Sequence, residues 1–167
     1  LITVFDLVAF GRYPFTNWLA NLTENDKYII DDALKVCGIK ELANRYFNNL
    51  SDGEKQKVLI ARAITQQTPI IILDEPLNHL DLINKVEIFS LLKKLCKAVN
   101  KTIIISTHQV ELALQAADRL WLITNDHKLS VSTPDEAIAS GLFDRAFKSD
   151  KVIFDAKSKT FQLKSTS

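Results

Sequence analysis

The chain has 167 residues, of which 47% are hydrophobic and 25% charged, with a formal net charge of +1. This length is enough for one sizeable core and too short to suggest several independent domains. The near-neutral charge disfavours binding to a phosphate backbone, so we expect no nucleic-acid partner. Cys37 and Cys96 have neither metal-type spacing nor the density of a disulfide scaffold, so a reducing cytosol fits best. The apolar runs are too short to cross a bilayer, and any membrane contact is expected to be peripheral.

The first fifty residues predict a helical subdomain. Two stretches carry apolar residues at helical spacing after a threonine that can cap a helix, and each is followed by a glycine suited to ending one. These stretches follow Thr3 and Thr23 and stop at Gly11 and Gly38. In the second stretch, Asp26 has the position of a capping-box partner. A loop is expected between the two helices, from Arg12 to Leu22.

After residue 50 the pattern changes to strands separated by a helix. Ile70–Leu73 and Thr102–Ile105 are short β-branched runs, typical of strands buried on both faces of a parallel sheet. Leu82–Val99 has helical spacing and is long enough to connect two parallel strands. The other expected elements are a helix at 109–117, a strand at 120–124 that extends the sheet, a turn at 125–128, a helix at 134–140, and a hairpin of 152–156 with 160–163.

Two adjacent carboxylates follow the first predicted strand, in Asp74-Glu75-Pro76. Open α/β sheets bind their ligands at this end of a strand. Neighbouring side chains of a strand point in different directions, so one of the two acids could hold Mg²⁺ through water there while the other orients and deprotonates an attacking water. The alternative is a solvated strand end, which is the commoner explanation of an isolated Asp-Glu pair.

A second motif precedes the helix that is predicted to run to about Gln66. In Leu50-Ser51-Asp52-Gly53-Glu54, Ser51 and Glu54 have capping-box spacing. The amides and the positive dipole end of this helix would form an anion site, and Gly53 would let a phosphate approach the backbone. An ordinary capped helix is the alternative, and the capping box by itself does not exclude it.

A histidine, His108, follows the second predicted strand in Ser106-Thr107-His108. The carboxyl ends of neighbouring parallel strands share one edge of a sheet, so we expect His108 and Asp74 to converge on one crevice. A core or surface histidine is the alternative. Cys37 and Cys96 lie on apolar helix faces and are expected to be core residues.

The order and spacing of these motifs resemble the signature motif, Walker B, D-loop and switch histidine of ATP-binding-cassette (ABC) ATPases, over residues 1–140. The matching segments are Leu50–Glu54, Ala61-Arg62-Ala63, Asp74-Glu75-Pro76, Asn78-His79-Leu80-Asp81 and Ser106-Thr107-His108. The resemblance implies a P-loop NTPase-like α/β fold, with a parallel sheet, flanking helices and an N-terminal helical subdomain, present as a partial domain. The expected parts are a helical subdomain at 1–50, the signature helix and ATPase core at 51–132, and C-terminal helices with a hairpin at 133–167.

The resemblance also implies ATP and Mg²⁺ as cofactors and a role for each motif. Glu75 would be the general base, Asp74 a ligand of the water shell of Mg²⁺, and His108 the sensor and stabiliser of the γ-phosphate. In the homodimers of this family, the signature of one subunit caps the ATP held by its partner, and Asp81 would help to couple the two sites. The signature residues assigned to nucleotide binding are Ser51, Asp52, Gly53 and Glu54.

The stretch Thr3–Pro14, with Trp18, resembles ATPases of importers for ferric siderophores, heme and cobalamin, and a ferric siderophore is the substrate we favour. The resemblance implies an integral-membrane permease, on which the region before Leu50 would dock. It also implies an indirect link to a substrate-binding protein, and a peripheral location on the cytoplasmic face of the inner membrane.

The sequence departs from the family pattern in two respects. A phosphate-binding loop needs two glycines five positions apart before Lys and Ser or Thr, and the glycines at 11, 38, 53 and 141 do not have that spacing. The glutamine loop is also missing, so N-terminal truncation is expected, with the fragment inactive by itself. Asp52 stands where glycine is usual and would repel a γ-phosphate unless its side chain points away. Glu54 for glutamine is tolerable at a helix start, and Ser132 for a turn glycine is expected to be harmless.

Two other functions remain open. A non-catalytic fragment or degenerate binding module would follow if the native chain had no phosphate-binding loop. Soluble cassette ATPases of chromosome maintenance or translation carry similar signatures. Residues 1–50 lack the sustained heptads of the chromosome type, and the near-neutral charge disfavours contact with DNA or the ribosome.

Overall fold

The computed structural model describes residues 1–17, 21–98, 101–124, 127–147, 149 and 151–164. The chain divides into two compact units, Leu1–Thr107 and His108–Ser167. Trp18, the predicted helix end at Val99 and the turn residues Asn125 and Asp126 lie outside the described residues. The functional division into 1–50, 51–132 and 133–167 stays a prediction. No helix in the described part of the chain combines the length and apolarity needed to cross a membrane.

The N-terminal helix α1 (Val4–Ala9) begins at the predicted cap, because the Thr3 side chain forms a reciprocal capping box with the first turn. The chain does not enter a loop at Arg12 as predicted. It continues as a 3-10 helix, Phe10–Phe15. Gly11 therefore does not end a helix, and it is buried within this continuous segment.

Two longer helices complete the helical part of the first unit, and both were predicted. Helix α2 (Glu24–Val36) begins with the expected capping box between Thr23 and Asp26. Helix α3 (Asp52–Thr65) packs against α1 and α2. The side chains at the centre of this packing are apolar and fully or almost fully buried, which places one hydrophobic core here. They include Val4, Val8, Ile30, Leu34, Val58 and Ile60.

The predicted β-α-β unit is confirmed. Strands β1 (Ile70–Asp74) and β2 (Thr102–Ser106) are parallel, and α4 (Leu82–Ala98) connects them. In their register Asp74 lies opposite Ser106. The carboxyl ends of both strands therefore meet at one edge, as a crossover connection between parallel strands requires.

The burial predicted for the strands on both faces is wrong in part. Ile71 is 5% exposed, whereas Ile72 is 73% exposed. Alternate side chains of a strand point to opposite faces, so Ile70 and Ile72 of β1 lie on its exposed face and Ile71 on its buried face. The cysteine prediction has a mixed outcome, because Cys37 is buried and Cys96 is only half-buried.

The second unit opens with helix α5 (Val110–Ala116), followed by strands β3 (Leu120–Ile123) and β4 (Leu129–Ser132). Among the described residues β3 pairs with β4 in an antiparallel sheet, so the prediction that it extends the parallel sheet is wrong. The short connection between these strands explains their antiparallel pairing, since parallel pairing needs a crossover of a dozen or more residues.

The rest of the second unit confirms the predicted helix and hairpin. Helix α6 (Pro134–Ala139) has a capping box at its start, and a short helix α7 (Leu142–Ala146) follows. Strands β5 (Val152–Asp155) and β6 (Thr160–Leu163) form the hairpin. These elements enclose a separate aromatic-rich core of Leu114, Ala137, Leu142, Phe143 and Phe154.

Candidate functional site

The N-terminus of α3 is held by the capping box that the sequence predicts. The Glu54 amide donates to Ser51 Oγ at 3.3 Å, while the Ser51 amide and hydroxyl donate to Glu54 Oε2 at 2.8 and 2.9 Å. These bonds lower the pKa of Glu54, and the largest cause is the hydrogen bond from the Ser51 backbone. The Glu54 carboxylate is therefore kept ionised at the helix start, where the dipole favours negative charge.

The acidic side chains of this first turn both have a cation nearby. Asp52 Oδ1 lies 3.4 Å from Lys55 Nζ, and the Asp52 side chain is 66% exposed. Glu54 Oε1 lies 4.0 Å from a guanidinium nitrogen of Arg45. Exposed pairs of this kind are weak. The pairing therefore reduces, without removing, the negative charge that a phosphate would meet at this helix start.

Gly53 is buried against the start of α4. A β-carbon at this position would lie 2.3 Å from Asn84 Oδ1 and 2.8 Å from Asn84 Cγ. Such distances are well inside van der Waals contact, so only glycine fits here without a shift of Asn84. The sequence analysis explains Gly53 by the close approach of a phosphate to the backbone. The structure adds a second reason for glycine, because Asn84 of the same chain occupies the space that a side chain would need.

Asp81 caps α4. The Asn84 amide donates to Asp81 Oδ1 at 2.8 Å, and Asn84 Nδ2 donates to Asp81 Oδ2 at 2.8 Å. The pKa of Asp81 is lowered, chiefly by the hydrogen bond from the Asn84 backbone. Both carboxylate oxygens are thus engaged by one residue, which fixes the rotamer of Asp81.

Asp74 ends β1 and accepts a short hydrogen bond from the Ser106 hydroxyl on β2. This contact follows from the parallel register, which places the two residues opposite each other. Asp74 remains exposed to solvent, so its other lone pairs face water. The side chain is therefore oriented from within the sheet and accessible from outside it.

Glu75 has a left-handed backbone, with φ of 44°, which is unusual for a residue other than glycine. Two bonds to Ser106 hold it: the Glu75 amide lies 3.1 Å from the Ser106 carbonyl oxygen and 3.0 Å from Ser106 Oγ. A strained conformation of this kind persists only when its surroundings enforce it, and such strain concentrates at functional sites. Ser106 thus bonds to the side chain of Asp74 and to the backbone of Glu75.

His108 lies two residues beyond β2 and is the first residue of the second unit. Its carbonyl accepts a hydrogen bond from the Val110 amide at 3.0 Å, at the start of α5. The structure brings Asp74, Glu75 and Ser106 together at the sheet edge. The convergence of His108 with them stays a prediction.

The donor set fits the cofactors that the sequence predicts. Among residues that the structure describes, no three His, Cys, Asp or Glu side chains gather into a group able to hold a metal ion. Asp74 offers one exposed carboxylate at this edge. This suits Mg²⁺, which keeps several waters and uses one or two carboxylates together with substrate phosphates. The N-terminus of the 14-residue helix α3 suits a phosphate.

Sequence reasoning left two residues of this region without a role. The sequence analysis gives Ser106 no role beyond its place near His108, although the parallel pairing of the strands places it beside Asp74. Asn84 has no predicted role. Its position three residues after Asp81 is capping spacing, and that signal was available from the sequence. Its contact with Gly53 depends on how two helices pack, which no local pattern encodes.

Comparison with known proteins supports one family. The family model described as ABC transporter matches residues 4–78. The achromobactin transport ATP-binding protein of Dickeya dadantii is 37% identical over 149 residues, which cover 89% of this chain and 55% of that protein. A petrobactin import ATP-binding protein of Bacillus anthracis is 32% identical over 160 residues, covering 96% of this chain and 59% of that protein. The chain thus spans little more than half the length of these relatives.

Solved structures show the same likeness. A transporter described as a metal-chelate type ABC transporter, in an inward-facing conformation, superposes with a TM-score of 0.82 at 29% identity, covering 96% of this chain and 64% of that one. The cbiO1 protein of Clostridium perfringens, part of the ABC transporter complex cbiONQ, superposes with a TM-score of 0.72 at 31% identity, covering 82% of this chain and 53% of that one. Over most of its length, the chain is therefore similar to ABC transporter ATP-binding proteins.

Proposed function

We propose that the full-length protein hydrolyses ATP to power a membrane importer of metal chelates, with a ferric siderophore as the favoured substrate. The arrangement of Asp74, Glu75 and Ser106 carries this proposal. One acid is oriented at the end of a parallel strand and the next is held in a strained backbone, both by the same serine. An ordinary solvated strand end does not require either feature.

Asp74, Glu75 and His108 each have a chemical task in the proposed reaction. Bound Mg-ATP supplies the phosphoryl group that is transferred to water. Glu75 orients the attacking water and accepts its proton. Asp74 binds waters of the metal shell, and the bond from Ser106 leaves its outward lone pairs for them. His108 donates to the γ-phosphate region as charge develops there.

The signature residues act across a homodimer in this proposal. The N-terminus of α3, with Ser51 and Gly53, faces the nucleotide of the partner subunit, where its amides and dipole favour phosphate. Asp52 and Glu54 lie in the same turn. Their pairing with Lys55 and Arg45 limits repulsion. Asp81 contributes to the coupling between the two nucleotide sites.

The importer assignment rests on the relatives. Several are named as siderophore, achromobactin or petrobactin transport ATP-binding proteins, and a structural neighbour is described as metal-chelate type. We infer that the helical region 1–50 docks on an integral-membrane permease, that a substrate-binding protein acts indirectly through it, and that the protein is peripheral on the cytoplasmic face of the membrane.

The variant Glu75→Gln in the full-length protein tests the catalytic proposal. The amide keeps the shape of the side chain but cannot accept the proton from water, so we expect steady-state hydrolysis to fall at least about 100-fold. Nucleotide binding, measured by titration with fluorescent ATP, should be retained. Glu87→Gln is the matched control, because the Glu87 side chain is 52% exposed on α4 and belongs neither to the proposed site nor to region 1–50. Full turnover in the Glu75 variant contradicts the role.

The same two variants test the importer assignment in cells. A strain without the protein should take up less ⁵⁵Fe-labelled siderophore, and the wild type and Glu87→Gln should restore uptake. Glu75→Gln should not restore it, because closing and reopening around ATP would stall. Normal uptake without the protein, together with intact hydrolysis in vitro, would keep the ATPase and reject the substrate class.

A further inference from the structure

One side chain touches both the signature motif and the D-loop. Asn84, half-buried on the first turn of α4, fills the space that a side chain at Gly53 would need. The same residue gives both its backbone amide and its Nδ2 to the two carboxylate oxygens of Asp81, each at 2.8 Å. The start of α3 and the start of α4 are thereby joined through a single amide group.

The orientation of that amide group is determined from both sides. Nδ2 donates to Asp81, so the other amide atom, Oδ1, is the one that faces Gly53. An acidic partner selects the donor end of an asparagine. The backbone of Gly53 therefore meets a side chain that Asp81 holds in place, and a displacement of either motif moves the amide that the other contacts.

A second contact joins the same two helices one turn further along. Lys57 Nζ on α3 lies 2.9 Å from Glu87 Oε2 on α4, with the two side chains 24% and 52% exposed. This ion pair touches neither Gly53 nor Asp81. It supplies a control for the general strength of helix packing, separate from the link between the two motifs.

We infer that Asn84 is a positioning residue that ties the signature Gly53 to the D-loop Asp81 within one subunit. The inference rests on the proposed function, because the signature and the D-loop would face the partner subunit's nucleotide site. Because Asn84 links them, the signature and the D-loop approach that site as a single unit. Asn84 touches neither nucleotide nor water in this role and acts through Asp81 and Gly53.

Two variants of the full-length protein separate the hydrogen bond from the filling of space. Asn84→Asp keeps the size of the side chain but replaces the donor toward Asp81 by an acceptor, and Asn84→Ala removes both the donor and the volume. We expect both to lower kcat at least fivefold with KM for ATP changed less than twofold, because nucleotide held by a subunit's own phosphate loop is unaffected. Glu87→Gln should stay within twofold of wild type in both constants. Unchanged kcat in both Asn84 variants overturns the inference, and a loss in Asn84→Ala alone reduces Asn84 to a space-filling residue.

A thermal-stability cycle without nucleotide tests the contact itself. Gly53→Ala should lower Tm by several degrees in the wild-type background, because the new methyl group collides with Asn84 Oδ1. In the Asn84→Ala background the same change should cost much less. Equal losses in both backgrounds show that Asn84 does not restrict Gly53 and overturn the inference. If Gly53→Ala costs less in the Asn84→Ala background but the wild type shows no ATP turnover, the proposed function is rejected. The catalytic role of the link between Gly53 and Asp81 is then rejected with it. Normal wild-type turnover with unaffected Asn84 variants rejects the tie alone.

Discussion

Arg12 is a buried charged side chain of the first unit, only 4% exposed. Its Nε donates to Asp26 Oδ1 at 2.8 Å, and its NH1 nitrogen donates to the carbonyl of Thr65 at 2.9 Å and to Gln67 Oε1 at 2.8 Å. The guanidinium carbon also lies 4.1 Å from the centre of the Phe15 ring. A buried guanidinium tolerates desolvation when it is paired with a carboxylate and hydrogen-bonded in this way.

The partner of Arg12 is ionised at neutral pH. Hydrogen bonds from Thr23, and then that from Arg12, lower the pKa of Asp26 to about 2, against the opposing effect of burial. Asp26 is 3% exposed, so its charge depends on these partners rather than on water. The pair Arg12–Asp26 joins the 3-10 helix to the start of α2, while the bond to Thr65 reaches the end of α3.

We therefore expect Arg12→Ala to destabilise the protein by about 3–5 kcal/mol, because the change leaves Asp26 buried without its cation. Urea unfolding followed by circular dichroism measures the loss. The control is Lys27→Ala, which breaks the pair Lys27–Glu24 with side chains 53% and 89% exposed. That change should cost less than about 1 kcal/mol. Similar losses in the two variants would show that burial of the Arg12 pair is unimportant.

At the scale of elements, the first unit depends on close approach between the 3-10 helix and α3. A β-carbon on Gly11 would lie 2.1 Å from Thr65 Oγ1 and 2.4 Å from the carbonyl oxygen of Arg62. The Thr65 hydroxyl is itself bonded to the carbonyls of Arg62 and Val8, at 2.8 and 3.1 Å. Neither obstacle can move freely. The Arg62 carbonyl belongs to the backbone of α3, and the Thr65 side chain is bonded to both α1 and α3.

Gly11→Ala should therefore cost about 1–3 kcal/mol through overpacking between elements. Gly38→Ala is the comparison. Gly38 has nothing within 4 Å of its missing β-carbon, so the cost there comes only from its left-handed backbone, with φ of 66°. Thr65→Ala added to Gly11→Ala should recover little, because the Arg62 carbonyl remains in the way. Full recovery in that double variant would mean that the hydroxyl, and not the backbone, sets the distance.

The elements that the sequence predicts correctly are those with local causes. The capping boxes at Thr23 and Ser51 need only residues within one turn, and the β-branched runs identify both parallel strands. The wrong or missing parts depend on distant residues. The pattern around Gly11 predicts a helix end, because its close contact with α3 involves residues far along the chain that a local pattern does not include. The exposure of Ile72 likewise depends on what covers the sheet.

At the scale of the whole molecule, the sequence predicts those parts of the candidate site that lie in the family motifs. The positions of Asp74 and Glu75 at the sheet edge follow from the strand that precedes them. The left-handed backbone of Glu75 and the two-sided contact of Asn84 do not, since neither has a sequence signal beyond the motifs. The chain also spans 55% of one transport ATPase relative and 59% of another.

The 167-residue chain contains the acids that we propose for hydrolysis, but its four glycines lack the spacing of a phosphate-binding loop. The backbone amides that cradle the phosphates in such loops are therefore not encoded in this stretch. We expect the purified 167-residue chain to bind Mg-ATP weakly and to show no steady turnover in a coupled phosphate-release assay. Glu75→Gln in the same chain is the control for contaminating ATPases, because both preparations should then give the same background. Turnover in the wild-type chain that disappears in this variant would mean that hydrolysis needs no loop of that kind, and it would move the nucleotide's main contacts to the N-terminus of α3 and the edge formed by β1 and β2.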